Sequence, residues 1–217
     1  MQPVIDAGKG KKKKRKKEGR SMSLVTLPAP DFTADAVYPD DEIKSLTLSK
    51  HKGHYVFLFF YPSDFTFVCP SEILAFHRKC EEFRKRNCEL IGISVDSAYS
   101  HYAWRQTELK RGGIGRISYP LVADITKGIA RSYGVLINGA VALRGQFLID
   151  AQGIVQHELV NNLSLGRNVY EALRILDALQ FTEKHGEVCP ANWNPGDKTM
   201  KASPGGVAEY LERFQSK

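Results

Sequence analysis

The chain has 217 residues, 42% of them hydrophobic, enough for one domain with a sizeable core and an appended tail. Of its 31 Lys/Arg and 24 Asp/Glu, nine and two fall in residues 1–21, leaving 22 of each sign elsewhere. The net charge of +7 is therefore confined to one end, and a neutral body argues against a basic nucleic-acid-binding domain.

The basic end carries Lys11-Lys12-Lys13-Lys14-Arg15-Lys16-Lys17. Such a block repels itself and is expected to be a disordered, solvated tail, although it also reads as a nuclear-localisation-like run. Met22 offers a second candidate start. The stretch after it, up to Pro28, is too short and broken for the apolar segment of a secretory signal. Phe32–Tyr38 and Ile43–Leu48 alternate like short strands around a Pro39-Asp40-Asp41 turn. His54–Tyr61 reads as a buried strand, and at this length it is far too short to span a bilayer. Helical spacing begins near Ser71, with Ile73, Phe76, Cys80 and Phe83 on one face, and runs to about Arg86. Cys80 on that face is expected to pack in the core. Cys88 opens a strand ending at Val95 and is expected to be partly buried.

Ser97–Lys110 reads as a helix, and the glycine cluster Arg111–Arg116 as a flexible turn that lacks the ending of a phosphate-binding loop. Leu121–Asp124 is a short strand. Ile125, Ile129 and Tyr133 mark a helix stopped by Gly134. Val141–Ile149 and Ile154–Val160 read as a strand pair joined by Asp150–Gly153. Val169, Ala172, Leu173, Leu176 and Leu179 make a strong helix face that ends after Phe181. From Thr182 the chain is rich in Gly, Pro, Asn and Asp until a short helix at Val207–Leu211. This order implies an α/β fold around a mixed sheet. Three segments are expected: a basic tail over residues 1–21, a domain over 22–181, and a C-terminal arm over 182–217.

The four cysteines, Cys69, Cys80, Cys88 and Cys189, include no C-x-x-C pair, so no zinc site is expected. Their small number in an ordinary core points to a reducing compartment, the cytoplasm. Cys69 differs from the rest in its setting. It stands where a buried strand gives way to a helix, next to Pro70, which suits a first helical turn. Unpartnered N–H groups at that turn favour the thiolate, which is the nucleophile. Thr66 lies three residues earlier, so its hydroxyl could reach the sulfur or a ligand on it.

Pro62-x-x-x-Thr66-x-x-Cys69 resembles the active-site signature of peroxiredoxins, and Phe65–Glu72 is similar to the typical two-cysteine subgroup. Ser71 stands where many members have threonine. The resemblance implies a thioredoxin-like fold and a thiol-dependent peroxidase with no cofactor and no metal. It makes Cys69 the nucleophile, Arg144 in Leu143–Asp150 the active-site arginine, Arg167 a second arginine, and Glu72 the carboxylate that orients them. His185–Trp193 is similar to the resolving-cysteine motif, which makes Cys189 the thiol that forms a disulfide with Cys69 of another subunit. Implied partners are a hydroperoxide substrate, thioredoxin or a flavoprotein reductase, and a second copy in a homodimer, commonly in a ring of five. No membrane and no nucleic-acid partner is implied. Family members that over-oxidise easily carry a Gly-Gly-Leu-Gly loop and a terminal Tyr-Phe pair. Here these are Gly112-Gly113-Ile114-Gly115 and Tyr210-Leu211.

Two rival readings follow from the residues. A disulfide exchanger needs a second cysteine where Glu72 stands. A binding protein would be either a nucleic-acid binder acting through the lysine run alone or a chaperone-like oligomer.

Overall fold

The computed structural model describes residues 23–212, so the lysine run and its expected disorder lie outside the described residues. The elements run β1 (Thr33–Val37), β2 (Ile43–Thr47), β3 (Tyr55–Phe60), α1 (Cys69–Arg84), β4 (Cys88–Ser94), α2 (Ala98–Gln106), β5 (Leu121–Ala123), α3 (Gly128–Ser132), β6 (Leu136–Ile137), β7 (Val141–Ala142), β8 (Arg144–Ile149), β9 (Val155–Asn161), α4 (Val169–His185) and α5 (Pro204–Glu212). The main sheet has the order β2-β1-β5-β4-β3-β8-β9. Strands β3, β4 and β5 run parallel, and the outer pairs are antiparallel. This is the mixed sheet that the element order predicts.

Strand β3 lies inside the sheet and is buried on both faces, which is why it reads as an unbroken apolar run. Phe57, Phe59 and Tyr61 point into a core shared with α1 and α4. Val56, Leu58 and Phe60 point into a second core that includes Ile129, Ala130 and Tyr133 around α3. Phe59 stacks on Phe76 of α1 at 4.5 Å between ring centroids. The helix that follows β3 is thereby set against the sheet.

Several boundaries differ from the sequence reading, each for a local reason. α1 begins at Cys69 rather than near Ser71. Ile125 is 64% exposed and lies outside α3. The Asp124 carboxylate accepts from the amides of Ile129 and Ala130 at 3.1 and 2.7 Å and so fixes a later start. The expected strand Val141–Ile149 breaks at Leu143, and β7 pairs with β6 instead. α4 continues past Phe181 to His185, where Gly186 at φ +67° caps it by donating to Thr182 O. Cys88 is buried, not half-buried. Within the glycine cluster, Gly113 and Ile114 are buried, and a Cβ on Gly113 would lie 1.9 Å from the Thr107 carbonyl oxygen, whereas Gly112 and Gly115 have open space around them.

Leu58→Ala removes a side chain with no exposed surface and is expected to cost about 2–5 kcal/mol. Equilibrium denaturation measures this. A loss under about 1 kcal/mol would show that the second core is not packed as described.

Candidate active site

The end of β3 sets the site. Tyr61 N–H still donates to Ile93 O at 2.9 Å, but Pro62 is buried and has no N–H, so strand pairing stops. The next loop is held from below by two carboxylates. Asp64 accepts from the Tyr61 and Ser100 hydroxyls at 2.9 and 2.8 Å and lies 2.8 Å from His101 Nδ1. The Asp64 N–H donates to Asp96 Oδ2 at 2.9 Å. Phe65 is held at φ +52° and leans on Trp104. A bulky residue in that region costs about 1–3 kcal/mol, so the surrounding bonds impose the loop's shape.

Cys69 is the first residue of α1 and has no exposed surface. Its Sγ lies 3.3 Å from Arg144 Nη1. The same nitrogen donates to Glu72 Oε2 at 2.6 Å, and Arg144 Nε donates to Leu163 O at 2.7 Å. Arg144 reaches the cysteine because β8 runs antiparallel to β3 and opens two residues before Gln146, the partner of Phe59. Glu72 lies one helical turn after Cys69 and shares its buried side of α1.

Arg167 completes the cluster from the loop before α4. Its Nε and its backbone N–H both donate to Glu72 Oε1 at 2.8 Å, and Nη2 donates to Oε2 at 3.0 Å. Its Nη1 donates to Phe60 O at 2.9 Å and Gly145 O at 2.7 Å. The guanidinium carbon lies 5.3 Å from the centre of the Phe59 ring, a cation–π contact. With Arg144, these bonds saturate all the lone pairs of one carboxylate. Two buried guanidinium groups against one carboxylate leave a net positive charge beside the sulfur. Donors fixed in this way face any negative charge that develops next to the sulfur.

The structure thus brings together Cys69, Glu72, Arg144 and Arg167, with Pro62 and Thr66 in the preceding loop. The Thr66 hydroxyl donates to Ser63 O at 2.8 Å. Its proton is used there rather than on the sulfur, so its oxygen offers lone pairs only. Cys189 is not part of this cluster. Its Sγ donates to Ala178 O of α4 at 3.8 Å. Cys80 and Cys88 are buried, and burial pushes both thiols up. Sequence reasoning missed Asp64, Asp96, Ser100 and His101. Asp64 and Asp96 follow parallel strands and so had to share one sheet edge, but the bonds to α2 have no local signal.

Comparison with known proteins decides the family. Residues 25–158 match the AhpC/TSA family, and residues 178–213 match the C-terminal domain of 1-Cys peroxiredoxin. The chain is 56% identical to the chloroplastic 2-Cys peroxiredoxin of Hordeum vulgare over 88% of this chain and 91% of that one. It is 53% identical to alkyl hydroperoxide reductase C of Helicobacter pylori over 87% and 96%. The crystal structure of reduced 2-Cys peroxiredoxin from Plasmodium vivax superposes with a TM-score of 0.87 at 53% identity, covering 88% and 99%. The chain belongs to the AhpC/TSA family. It is a peroxiredoxin, an enzyme that reduces hydroperoxides with its own thiol, and it has the thioredoxin-like fold that the motifs implied.

Two outcomes are expected of this peroxiredoxin site. Glu72→Ala leaves two buried guanidinium groups without their carboxylate and is expected to cost about 3–5 kcal/mol, read by denaturant unfolding. Cys80 and Cys88, whose thiols burial raises, stay protonated at pH 8. In the native protein, iodoacetamide at pH 8 is expected to leave both unlabelled until denaturant is added, as peptide mass spectrometry would show.

Proposed function

We propose that Cys69 is the nucleophile of the peroxidase reaction and Cys189 the thiol that resolves it. The observation that carries this reading is the Cys69 sulfur at the start of α1, 3.3 Å from Arg144 Nη1. The Cys69 thiolate attacks the terminal oxygen of a hydroperoxide. An S–O bond forms, the O–O bond breaks, and the leaving oxygen departs as an alcohol or as water after taking a proton. Arg144 faces the charge that develops along this line. Arg167 acts through Glu72, which fixes the orientation of both guanidinium groups. Thr66 accepts a hydrogen bond from the peroxide, since its own proton is committed to Ser63. Pro62, buried and without an N–H, ends the pairing of β3 and so opens the loop that carries Thr66 to Cys69.

The product is a sulfenic acid at Cys69, which over-oxidises unless a second thiol intercepts it. Cys189 of the partner subunit does so and forms an intersubunit disulfide in a homodimer, with five dimers in a ring. Thioredoxin or a flavoprotein disulfide reductase then restores both thiols, and no bound cofactor is needed. A reducing compartment such as the cytoplasm fits four cysteines that are all free. No helix among the described residues is long and apolar enough to cross a membrane.

Cys69→Ser is expected to abolish peroxide consumption. Cys189→Ser is expected to retain a single turnover but to lose the covalent dimer on a non-reducing gel. Mass spectrometry after one equivalent of peroxide should find Cys69 joined to Cys189 across chains. Undiminished activity in Cys69→Ser would refute the assignment.

A further inference from the structure

The arm that carries Cys189 is clasped to the second half of α4. Arg174, Ala178, Phe181 and His185 recur at helical spacing along one stripe. Trp193, only 3% exposed, packs on Phe181 at 5.3 Å, and Phe181 stacks on His185. A bridge between Val188 and Met200 closes the loop, and the Thr199 hydroxyl donates to Glu187. Arg174 holds this loop from the helix. Its Nη1 donates to Trp193 O at 2.8 Å, while Nε and Nη2 grip the Glu171 carboxylate at 2.6 and 2.7 Å.

We propose that Arg174 is a positioning residue for the resolving step: it ties down the loop bearing Cys189 and carries its positive charge one helical turn before Ala178, whose carbonyl accepts from the Cys189 thiol. This rests on the resolving role proposed above for Cys189. In that step one S–S bond forms between Cys189 and Cys69 and the S–O bond of the sulfenic acid breaks. The oxygen leaves as hydroxide and takes up the proton that Cys189 lost, giving water. Only the thiolate attacks, so the charge around Cys189 sets how often attack is possible.

That charge comes from few groups. Burial pushes the Cys189 thiol up, and Arg174 opposes it. The Arg174 cation is itself favoured, first by its hydrogen bonds to Glu171 and least by Cys189. Glu171 stands behind Arg174 on α4, and His157 of β9 faces this pair from the sheet. In the arm, Glu187 is bonded by Thr199, and Asp197 accepts from Asn194 N–H at 2.8 Å. At the end of α4, His185 stacks on Phe181 and Lys184 is exposed. Arg174 is thus a cation linked directly to the cysteine's own loop, so that loop and charge stay in register.

The test is the pH dependence of disulfide formation, followed by acid quench and thiol mass spectrometry in the full-length protein. Removing the cation lets burial act unopposed, so the thiol moves further up and less thiolate exists at neutral pH. Arg174→Met is expected to shift the midpoint of resolution upward by roughly half a unit or more and to slow it several-fold at pH 7. Sulfinic acid at Cys69 then accumulates at lower peroxide. Arg174→Lys restores the midpoint, because it keeps the charge. Arg174→Gln keeps a side-chain donor but no charge and is expected to move the midpoint upward as well, which keeps the test decisive if Arg174→Met folds poorly. An unchanged or lowered midpoint in Arg174→Met or in Arg174→Gln overturns the proposal. Cys189→Ser is the control. If that variant still forms the Cys69 disulfide, the resolving role itself fails and this inference falls with it.

Discussion

One carboxylate organises the catalytic end of this protein. Glu72 lies buried between Arg144 and Arg167, and every lone pair on it is taken. Moving three charges out of water is costly, and the cost is recovered only when geometry is close to ideal. The cluster therefore constrains everything that contributes to it. The start of α1, the first residue of β8 and the loop before α4 must meet at one point. Arg167 reinforces this by also bonding the carbonyls of Phe60 and Gly145 on two adjacent strands. The positive charge left over faces Cys69. A requirement of folding and a requirement of the chemistry are met by the same bonds.

The loop over the site is held differently. Asp64 and Asp96 anchor it through hydroxyls, an imidazole and backbone amides, and Phe65 is kept in a left-handed conformation. Cys69 has no exposed surface in this state.

Helix α4 serves both thiols. Its first turn, capped by Asn168, follows directly on Arg167 and the Cys69 cluster. Its second half carries the stripe on which the Cys189 arm packs. The helix packs against α1 in the same core as Phe59 and Phe76. The Cys69 cluster and the Cys189 arm are thus joined to the two ends of one helix.

Much of this was legible in the chain itself. The apolar run of β3, the face of α1 and the cysteine between them depend on periodicity and on Pro70, which are local properties. So does the inward position of Cys80. The roles expected of Arg144, Arg167 and Cys189 came only through resemblance, because nothing near each of them in sequence tells which group it will meet. Only the tertiary structure decided that Glu72 would be saturated by two arginines, that Thr66 would spend its proton on Ser63, and that His101 would support Asp64. It also decided where β7 parts from β8, how closely Gly113 packs, and that Arg174 would hold Trp193. Each depends on a partner far along the chain or on space left by a neighbour, and neither is written in the spacing of residues.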